Sequence, residues 1–179
     1  MEMPAQVIYR CATIHQGPLQ GAAPRCEALI RDASEADMAA VRNVYAHYAL
    51  SSLATFEETP PTLEEMLARR RASVERGLPY LVAEEKGKTL GFAYAVPYRD
   101  RPAYRFTIED SVYVANGRGG RGIGSALLGE LIARCERGPW RRMLAVVGDS
   151  ANTGSIALHR RFGFELVGTL RSVGFKFGR

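Results

Sequence analysis

The sequence predicts a mixed α/β (α+β) fold built around one hydrophobic core. Segments with antiparallel-strand character come early in the chain, and a strand–loop–helix–strand–helix–strand run comes late. The 179 residues are 46% apolar, which is enough for a single domain, and their apolar runs are too short to cross a bilayer. Together these features favour a layered fold of helices on a sheet.

The first residues, 1–27, differ from the rest of the chain. They contain scattered Pro and Gly residues with no sustained hydrophobic period. We therefore interpret 1–27 as an N-terminal extension that is partly disordered or loosely packed, and 28–179 as the folded domain.

The first half of the domain alternates strands and helices. "EALIRDAS" has the composition of a strand, and Ser34 with Asp37 forms a capping box before an apolar stripe of helical spacing. A second helix is predicted between the cap residue Thr62 and Gly77. "YLVAEE" and "TLGFAYAVP" predict an antiparallel hairpin, and "YRFTIEDSVYV" predicts the next strand.

The second half begins with the glycine-rich loop "NGRGGRGIG", followed by the helical stretch "SALLGELIARCERG". "RRMLAVVG" predicts a buried strand, and a short helix is predicted between Asn152, near its cap, and Gly163. "FELVGTLR" predicts another strand, and "SVGFKFGR" is predicted to begin one more.

Charge and cysteine content narrow the classes of ligand and compartment. The net charge is +5, and Arg supplies nearly all of the positive charge, which indicates a phosphate- or carboxylate-bearing ligand or a solvated basic surface. No basic run interleaved with aromatic residues is present, which disfavours nucleic acid as a binding partner. We expect no binding to a membrane either. Three cysteines without CxxC spacing predict neither a disulfide framework nor a metal site, and no secretory signal is apparent, so we expect a cytoplasmic protein.

The glycine-rich loop is the strongest local signal for a ligand. Gly117, Gly119 and Gly122 have G-x-G-x-x-G spacing between a strand and a helix, where free backbone N–H groups bind anionic oxygens. A dinucleotide-binding fold would open with this motif, whereas here it follows an antiparallel sheet. Gly124-Ser125 lacks the Lys of a nucleotide-hydrolysing P-loop, and a merely flexible turn is the remaining alternative.

The runs "EDSVYVANGRGGRGIGSALL" and "LAVVGDSANTGSIALHRRFGFELVGTL" resemble the GNAT N-acetyltransferase superfamily. "TFEETP", "GFAYAVPYRDRPAYRFTIEDSVYV" and "GFKFG" resemble its phosphinothricin and methionine sulfoximine acetyltransferase group, over roughly 28–179. The resemblance implies the GNAT fold, a mixed central sheet with helices on both faces. Members of this group continue past "KFGR" with a further strand, so this last strand is missing from the sequence, and we expect strand exchange or the N-terminal extension to compensate.

The resemblance implies acetyl-CoA as cosubstrate and no metal. Family members bind the pyrophosphate on Gln/Arg-x-x-Gly-x-Gly/Ala; here Gly119 takes the first position and Arg118 lies one residue earlier. The residues expected to bind acetyl-CoA are Val112, Tyr113, Val114, Arg118, Gly119, Gly120, Arg121, Gly122, Ile123, Gly124, Ser125, Asn152 and Ser155. Capping of the short helix is the alternative role of Asn152.

Two residues are candidates for proton transfer. Glu109 lies in a strongly apolar strand, where burial raises a carboxyl pKa towards that of a general base, and it matches the Glu of the family motif; pairing with an Arg is the structural alternative. Asp110 is adjacent and should point to the opposite face of the strand. His159 occupies the family position of the group that protonates the departing thiolate, or else is a structural histidine.

Substrate recognition is expected to depend on arginine, since an amino-acid substrate carries a carboxylate. The candidates are Arg99 and Arg105, with Phe56, Glu57 and Tyr98 as walls and Arg101 as a further residue. The resemblance implies direct acetyl transfer to the α-amine of a small amino-acid analogue, and a homodimer. Acetylation of a protein N-terminus or another amine, and a non-catalytic acyl-CoA-binding module, remain alternatives.

Overall fold

The computed structural model describes residues 5–11 and 26–178. Its strands are β1 (Ala5–Cys11), β2 (Leu29–Asp32), β3 (Tyr80–Glu85), β4 (Lys88–Pro97), β5 (Thr107–Val114), β6 (Arg142–Val147) and β7 (Phe164–Arg171). Its helices are α1 (Met38–Ser51), α2 (Leu63–Glu75), α3 (Ile123–Cys135) and α4 (Thr153–Arg161). The strands form one mixed sheet in the order β2–β3–β4–β5–β6–β1–β7, in which only β5 and β6 are parallel.

The predicted helix starts in the first half are confirmed. Asp37 accepts hydrogen bonds from the backbone N–H and the hydroxyl of Ser34, both at 2.7 Å, just before α1. Thr62 and Glu65 exchange bonds at the start of α2. These contacts satisfy donors that the first helical turn leaves without a partner.

Helices cover both faces of the sheet, as the resemblance implied. On one face, α1 and α2 bury Met38, Val41 and Met66 against the aromatic side chains of β3, β4 and β5. On the other face, the apolar side of α3 packs on the remaining inward side chains of the same strands. Helix α4 lies beside α3, where Gly129 leaves room for the Phe162 ring.

Part of the N-terminal extension is a strand of the sheet. Ala5–Cys11 pairs antiparallel with β6 on one side and with β7 on the other, and Tyr9 is 2% exposed. The prediction of loose packing or disorder is therefore wrong for Ala5–Cys11, because alternate side chains of this short segment face the core. The rest of the extension, 1–4 and 12–25, lies outside the described residues.

The segment after β7 is not a strand. Residues 172–178 have irregular backbone, and they pack on the loop between α1 and α2. Lys176 is buried and donates hydrogen bonds to the backbone carbonyls of Ser52 and Thr55 at 2.8 and 2.9 Å. The prediction of another strand is wrong because this buried ammonium group and the close packing of Gly174 on Phe56 tie the segment to the loop.

The parallel pair at the centre of the sheet separates part of the way along. β5 and β6 pair from Thr107 with Arg142 to Asp110 with Ala145, and both strands continue beyond that point. We call the end of this pairing, at Asp110 and Ala145, the vertex. A cleft opens beyond the vertex between the two strands. No helix among the described residues is long and apolar enough to cross a bilayer.

Candidate active site

The cleft between β5 and β6 encloses a cavity of about 620 Å³. Its walls are the last residues of β5, the end of β6 with Gly148, the glycine-rich loop, the start of α3 and one side of α4. In the part of the chain that the structure describes, the edge of Val112–Val114 that faces β6 has no strand partner, so its backbone groups can bind the amides of an extended ligand. Tyr48 of α1 reaches this edge and donates a hydrogen bond to the Val114 carbonyl at 2.6 Å.

The glycine-rich loop forms one end of the cleft. Gly117, Gly120 and Gly122 have positive φ angles, and Gly122 directly precedes the first residue of α3. The chain thereby presents the free N–H groups at the start of α3 to the cleft, where an anionic group would be stabilised. Helix α3 begins two residues earlier than "SALLGELIARCERG" predicts because Gly122 takes the left-handed conformation at its cap.

Nearly all residues predicted to bind acetyl-CoA line this one cleft. They are Val112, Tyr113, Val114, Arg118, Gly119, Gly120, Gly122, Ile123, Gly124, Ser125, Asn152 and Ser155. Arg121 is the exception. Its guanidinium group pairs with Glu85 at 2.9 Å, outside the cleft lining.

Helix α4 brings two polar groups to the opposite wall. The Asn152 side chain accepts a hydrogen bond from the Ser155 N–H at 3.1 Å, so its capping role is confirmed. His159 lies one helical turn further on, near the vertex, and is buried. Its Nε2 lies 3.0 Å from Oδ2 of Asp110, and its Nδ1 lies 2.7 Å from the Ser155 carbonyl oxygen.

Glu109 lies next to the vertex but on the opposite face of the sheet from Asp110, as strand alternation predicts. Burial, reinforced by the negative charge of Asp110 and partly offset by Arg99, raises the pKa of Glu109 to about 7. The group therefore exchanges a proton near neutral pH, which is the property that a general base needs.

The face of the sheet that carries Glu109 is rich in aromatic and charged side chains. Tyr45 donates a hydrogen bond to Glu57 at 2.9 Å, and Arg69 forms an ion pair with the same carboxylate at 2.7 Å. Burial raises the pKa of Tyr45 to about 12, so its phenol stays protonated. The predicted wall residue Glu57 thus forms hydrogen bonds within the protein, and Arg69 is a cation that the sequence reasoning did not identify.

The predicted substrate arginines lie on exposed segments flanking β5. The Arg99 guanidinium lies over the Tyr98 ring at 5.0 Å, and that of Arg105 lies over Phe106 at 4.7 Å. The side chain of Phe56 is 39% exposed and lies on the loop held by Lys176. The structure does not bring these residues into the main cleft.

Several lining residues were not predicted. They are Tyr48, Ala54, Asp110, residues 145–148, Gly154, Ala157, Leu158 and Arg161. The position of "AVVG" beside "SVYV" follows only from the parallel pairing of β5 and β6, and that of Tyr48 only from tertiary packing. Asp110 had a signal, because alternation places it on the opposite face of β5 from Glu109, in the core of the sheet, where a buried carboxylate needs a partner.

Among the described residues no group of three or more His, Cys, Asp or Glu side chains could hold a metal ion. The described residues offer a set of anion-binding N–H groups, unpaired edges of β5 and β6 beyond the vertex, and carboxyl and imidazole groups beside the vertex. This arrangement suits a long ligand with an anionic end and a reactive group at the vertex.

Comparisons with known proteins agree with this geometry. Residues 41–164 match the acetyltransferase (GNAT) family. The chain is 54% identical to phosphinothricin N-acetyltransferase of Alcaligenes faecalis over 155 residues, which are 87% of this chain and 79% of the relative. It is 39% identical to the L-methionine sulfoximine/L-methionine sulfone acetyltransferase of Pseudomonas aeruginosa, with 85% and 88% covered.

Among solved structures, the phosphinothricin acetyltransferase from Sinorhizobium meliloti in complex with AcCoA superposes with a TM-score of 0.81 at 47% identity. The match covers 85% of this chain and 82% of that one. The fold, the cleft and these similarities lead to one conclusion: the chain belongs to the GNAT acetyltransferase family and is an acetyl-CoA-dependent N-acetyltransferase.

Proposed function

We propose that the protein transfers acetyl from acetyl-CoA to the α-amine of a small amino-acid analogue of the phosphinothricin or methionine sulfoximine type. The observation that carries this proposal is the position of Glu109 beside the vertex of the cleft, with a pKa raised to about 7. The names of the relatives support the substrate class.

Acetyl-CoA fits the donors of the cleft. The pyrophosphate would be bound by the N–H groups of Gly119–Gly124 and by Arg118, and Arg161 adds a second guanidinium group to the same cleft. The pantetheine amides would pair with the free edge of Val112–Val114, with Asn152 and Ser155 on the facing wall. The acetyl group would then lie near the vertex.

Glu109 acts as the general base, through a water molecule. It removes a proton from the substrate ammonium group, and the resulting amine attacks the thioester carbonyl directly. His159 supplies a proton to the sulfur that leaves. Glu109 lies in β5 beside the vertex, and His159 contacts Asp110, the next residue of the same strand. The proposed base and the proposed proton donor therefore lie near one short section of β5.

The amine substrate binds on the Glu109 side of the sheet. The carboxylate and the second acidic group of such an analogue require cations, which Arg99 and Arg105 provide, with Arg101 nearby. Tyr98, Phe56 and Glu57 would form the walls. Arg99 already acts electrostatically on Glu109, which supports a site between them.

Free-thiol release from acetyl-CoA tests the proposal on a panel of L-phosphinothricin, L-methionine sulfoximine, common amino acids and short peptides. We expect saturable turnover with the first two compounds. Turnover with peptides only would instead indicate acetylation of protein N-termini. Binding of acetyl-CoA by calorimetry with no turnover on any amine would indicate an acyl-CoA-binding module.

We also propose a cytoplasmic homodimer. The thiols of Cys26 and Cys135 are free, as expected in a reducing compartment. The outer edge of β7 has no strand partner among the described residues, and apolar side chains are exposed on it and on the following segment, including Leu166, Val167 and Phe175. Sedimentation should show a dimer that Phe175→Ser weakens, whereas a wild-type monomer at micromolar concentration would contradict the proposal.

A further inference from the structure

A buried carboxylate–imidazole pair lies at the vertex of the cleft. The side chains of Asp110 and His159 are 1% and 5% exposed, and Oδ2 of Asp110 lies 3.0 Å from Nε2 of His159. Residue Asp110 is the last in β5 that pairs with β6. Both residues line the cleft, so the pair lies at the vertex end of it. Glu109 directly precedes Asp110 in the sequence but lies on the other face of the sheet.

The contacts of the imidazole ring determine how many protons the pair carries. Nδ1 lies 2.7 Å from the Ser155 carbonyl oxygen, which can only accept, so Nδ1 carries a hydrogen. A hydrogen bond between Nε2 and Asp110 then needs a second proton, on the ring or on the carboxyl group. The pair therefore holds one proton more than a neutral imidazole facing a carboxylate.

The second oxygen of Asp110 is also informative. Oδ1 is buried and has no hydrogen-bond partner among the described residues. A fold that needed Asp110 only as a structural partner would normally satisfy both oxygens. His159 is therefore the one hydrogen-bonding partner of this carboxylate among the described residues.

We propose that Asp110 is a positioning residue that keeps His159 doubly protonated at the vertex, and that the proton between them is the one delivered to the departing thiolate. This inference rests on the proposed function of His159 and adds Asp110 to it. When the C–S bond breaks, its electron pair stays on sulfur, which takes the Nε2 proton. Neutral His159 and carboxylate Asp110 remain, and water reprotonates the pair before the next turnover.

The charged surroundings of the pair are simple. Burial lowers the pKa of His159, but the charge and hydrogen bond of Asp110 and the Ser155 carbonyl together raise it above its ordinary value. The Cys135 thiol of α3 faces Asp110 and stays neutral, because burial raises its pKa to about 12. On α4 itself, Arg160 lies over the Tyr9 ring and Arg161 points to Ser125.

The neighbouring strands add no further charge to the ring. The Phe164 ring of β7 packs edge-on against the imidazole at 5.1 Å, and the β6 residue beside Asp110 is Ala145. Glu109 lies on the far face of β5. In the described part of the chain, Asp110 is thus the charged group that sets the protonation of His159.

Nitrogen-15 NMR titration of the full chain tests the protonation state without any substrate. The three histidines are distinguished by comparison with His159→Gln. We expect the wild-type His159 ring to be doubly protonated at pH 7 and the ring in Asp110→Asn to be neutral there. Asp32→Asn, the same change at an exposed side chain, should leave the titration unchanged.

A wild-type His159 ring that is neutral at pH 7 would overturn the inference. This measurement uses the wild-type protein, so it does not depend on whether a variant folds. An unchanged His159 titration in folded Asp110→Asn would overturn it as well, because another group would then be holding the proton.

Kinetics test the role of the pair in turnover. We expect Asp110→Asn to lower kcat by about tenfold to a hundredfold and to move the alkaline limb of its pH profile to lower pH, with the KM for acetyl-CoA nearly unchanged. Because Asp110 acts through His159, the double variant with His159→Gln should be no slower than His159→Gln alone.

Multiplicative losses in the double variant would contradict this dependence and the inference with it. Wild-type protein that turns over no amine would contradict the proposed function instead, while the NMR titration would still decide whether Asp110 holds the proton on His159.

Discussion

Replacing Glu109 by Gln is expected to stabilise the protein at alkaline pH while it removes the catalytic base. The pKa of Glu109 is raised from 4.5 to about 7, chiefly by burial. Its ionised form is therefore disfavoured in the folded chain, and folding becomes less favourable as the pH rises between these two values. Gln keeps the shape of the side chain and cannot ionise.

The size of the effect follows from the pKa change. About 1.4 kcal/mol is lost for each factor of ten in the ionisation constant, which gives about 3 kcal/mol when the pH is above both values. Glu109 is partly exposed, so solvent screening reduces this figure to about 2 kcal/mol. Below both values the carboxyl group is protonated whether the chain is folded or unfolded, and the penalty is absent.

Urea unfolding at pH 5 and pH 8 measures this difference. The gain in free energy of unfolding from Glu109→Gln should be about 2 kcal/mol larger at pH 8 than at pH 5. Glu75→Gln, the same change at an exposed site, should show a pH-dependent difference below about 0.5 kcal/mol. Equal gains at the two pH values would refute the claim that Glu109 has a raised pKa in the folded protein.

Three further substitutions test other parts of the structure. Tyr9→Ala should lower the free energy of unfolding by about 3 kcal/mol in urea, because the ring is buried in β1; unchanged stability would mean that β1 is not part of the sheet. Arg118→Ala should weaken acetyl-CoA binding by about tenfold in calorimetry, whereas Arg121→Ala, outside the cleft lining, should change it by less than about twofold; equal losses would contradict the cleft geometry. Lys176→Met should cost about 2 kcal/mol of stability, since two backbone carbonyls lose their donor; an unchanged melting temperature would show that these bonds do not hold the loop.

Local sequence signals predicted much of the fold. The capping residues Ser34 and Thr62 and the hairpin of β3 and β4 follow from short-range rules, and the structure confirms them. The glycine-rich loop was identified because glycines with positive φ before a helix leave a characteristic spacing. Each of these features depends on residues close together in the chain.

Features that depend on distant contacts were missed. Strand β1 pairs with β6 and β7, more than a hundred residues away, so no local pattern distinguishes it from a loose extension. The partner of His159 is 49 residues away, and the sequence indicated only that Asp110 points away from Glu109. Arg121 has the composition of a phosphate ligand, but its direction is decided by Glu85.

The pH dependence of kcat/KM for L-phosphinothricin, in wild type and in Glu109→Gln, tests the central claim most directly. We predict an acidic limb near pH 7 in the wild type, from ionisation of Glu109. In Glu109→Gln we predict a loss of about a hundredfold at neutral pH and no such limb. An unchanged rate, or the same limb in the variant, would show that Glu109 is not the base and would contradict the proposed mechanism.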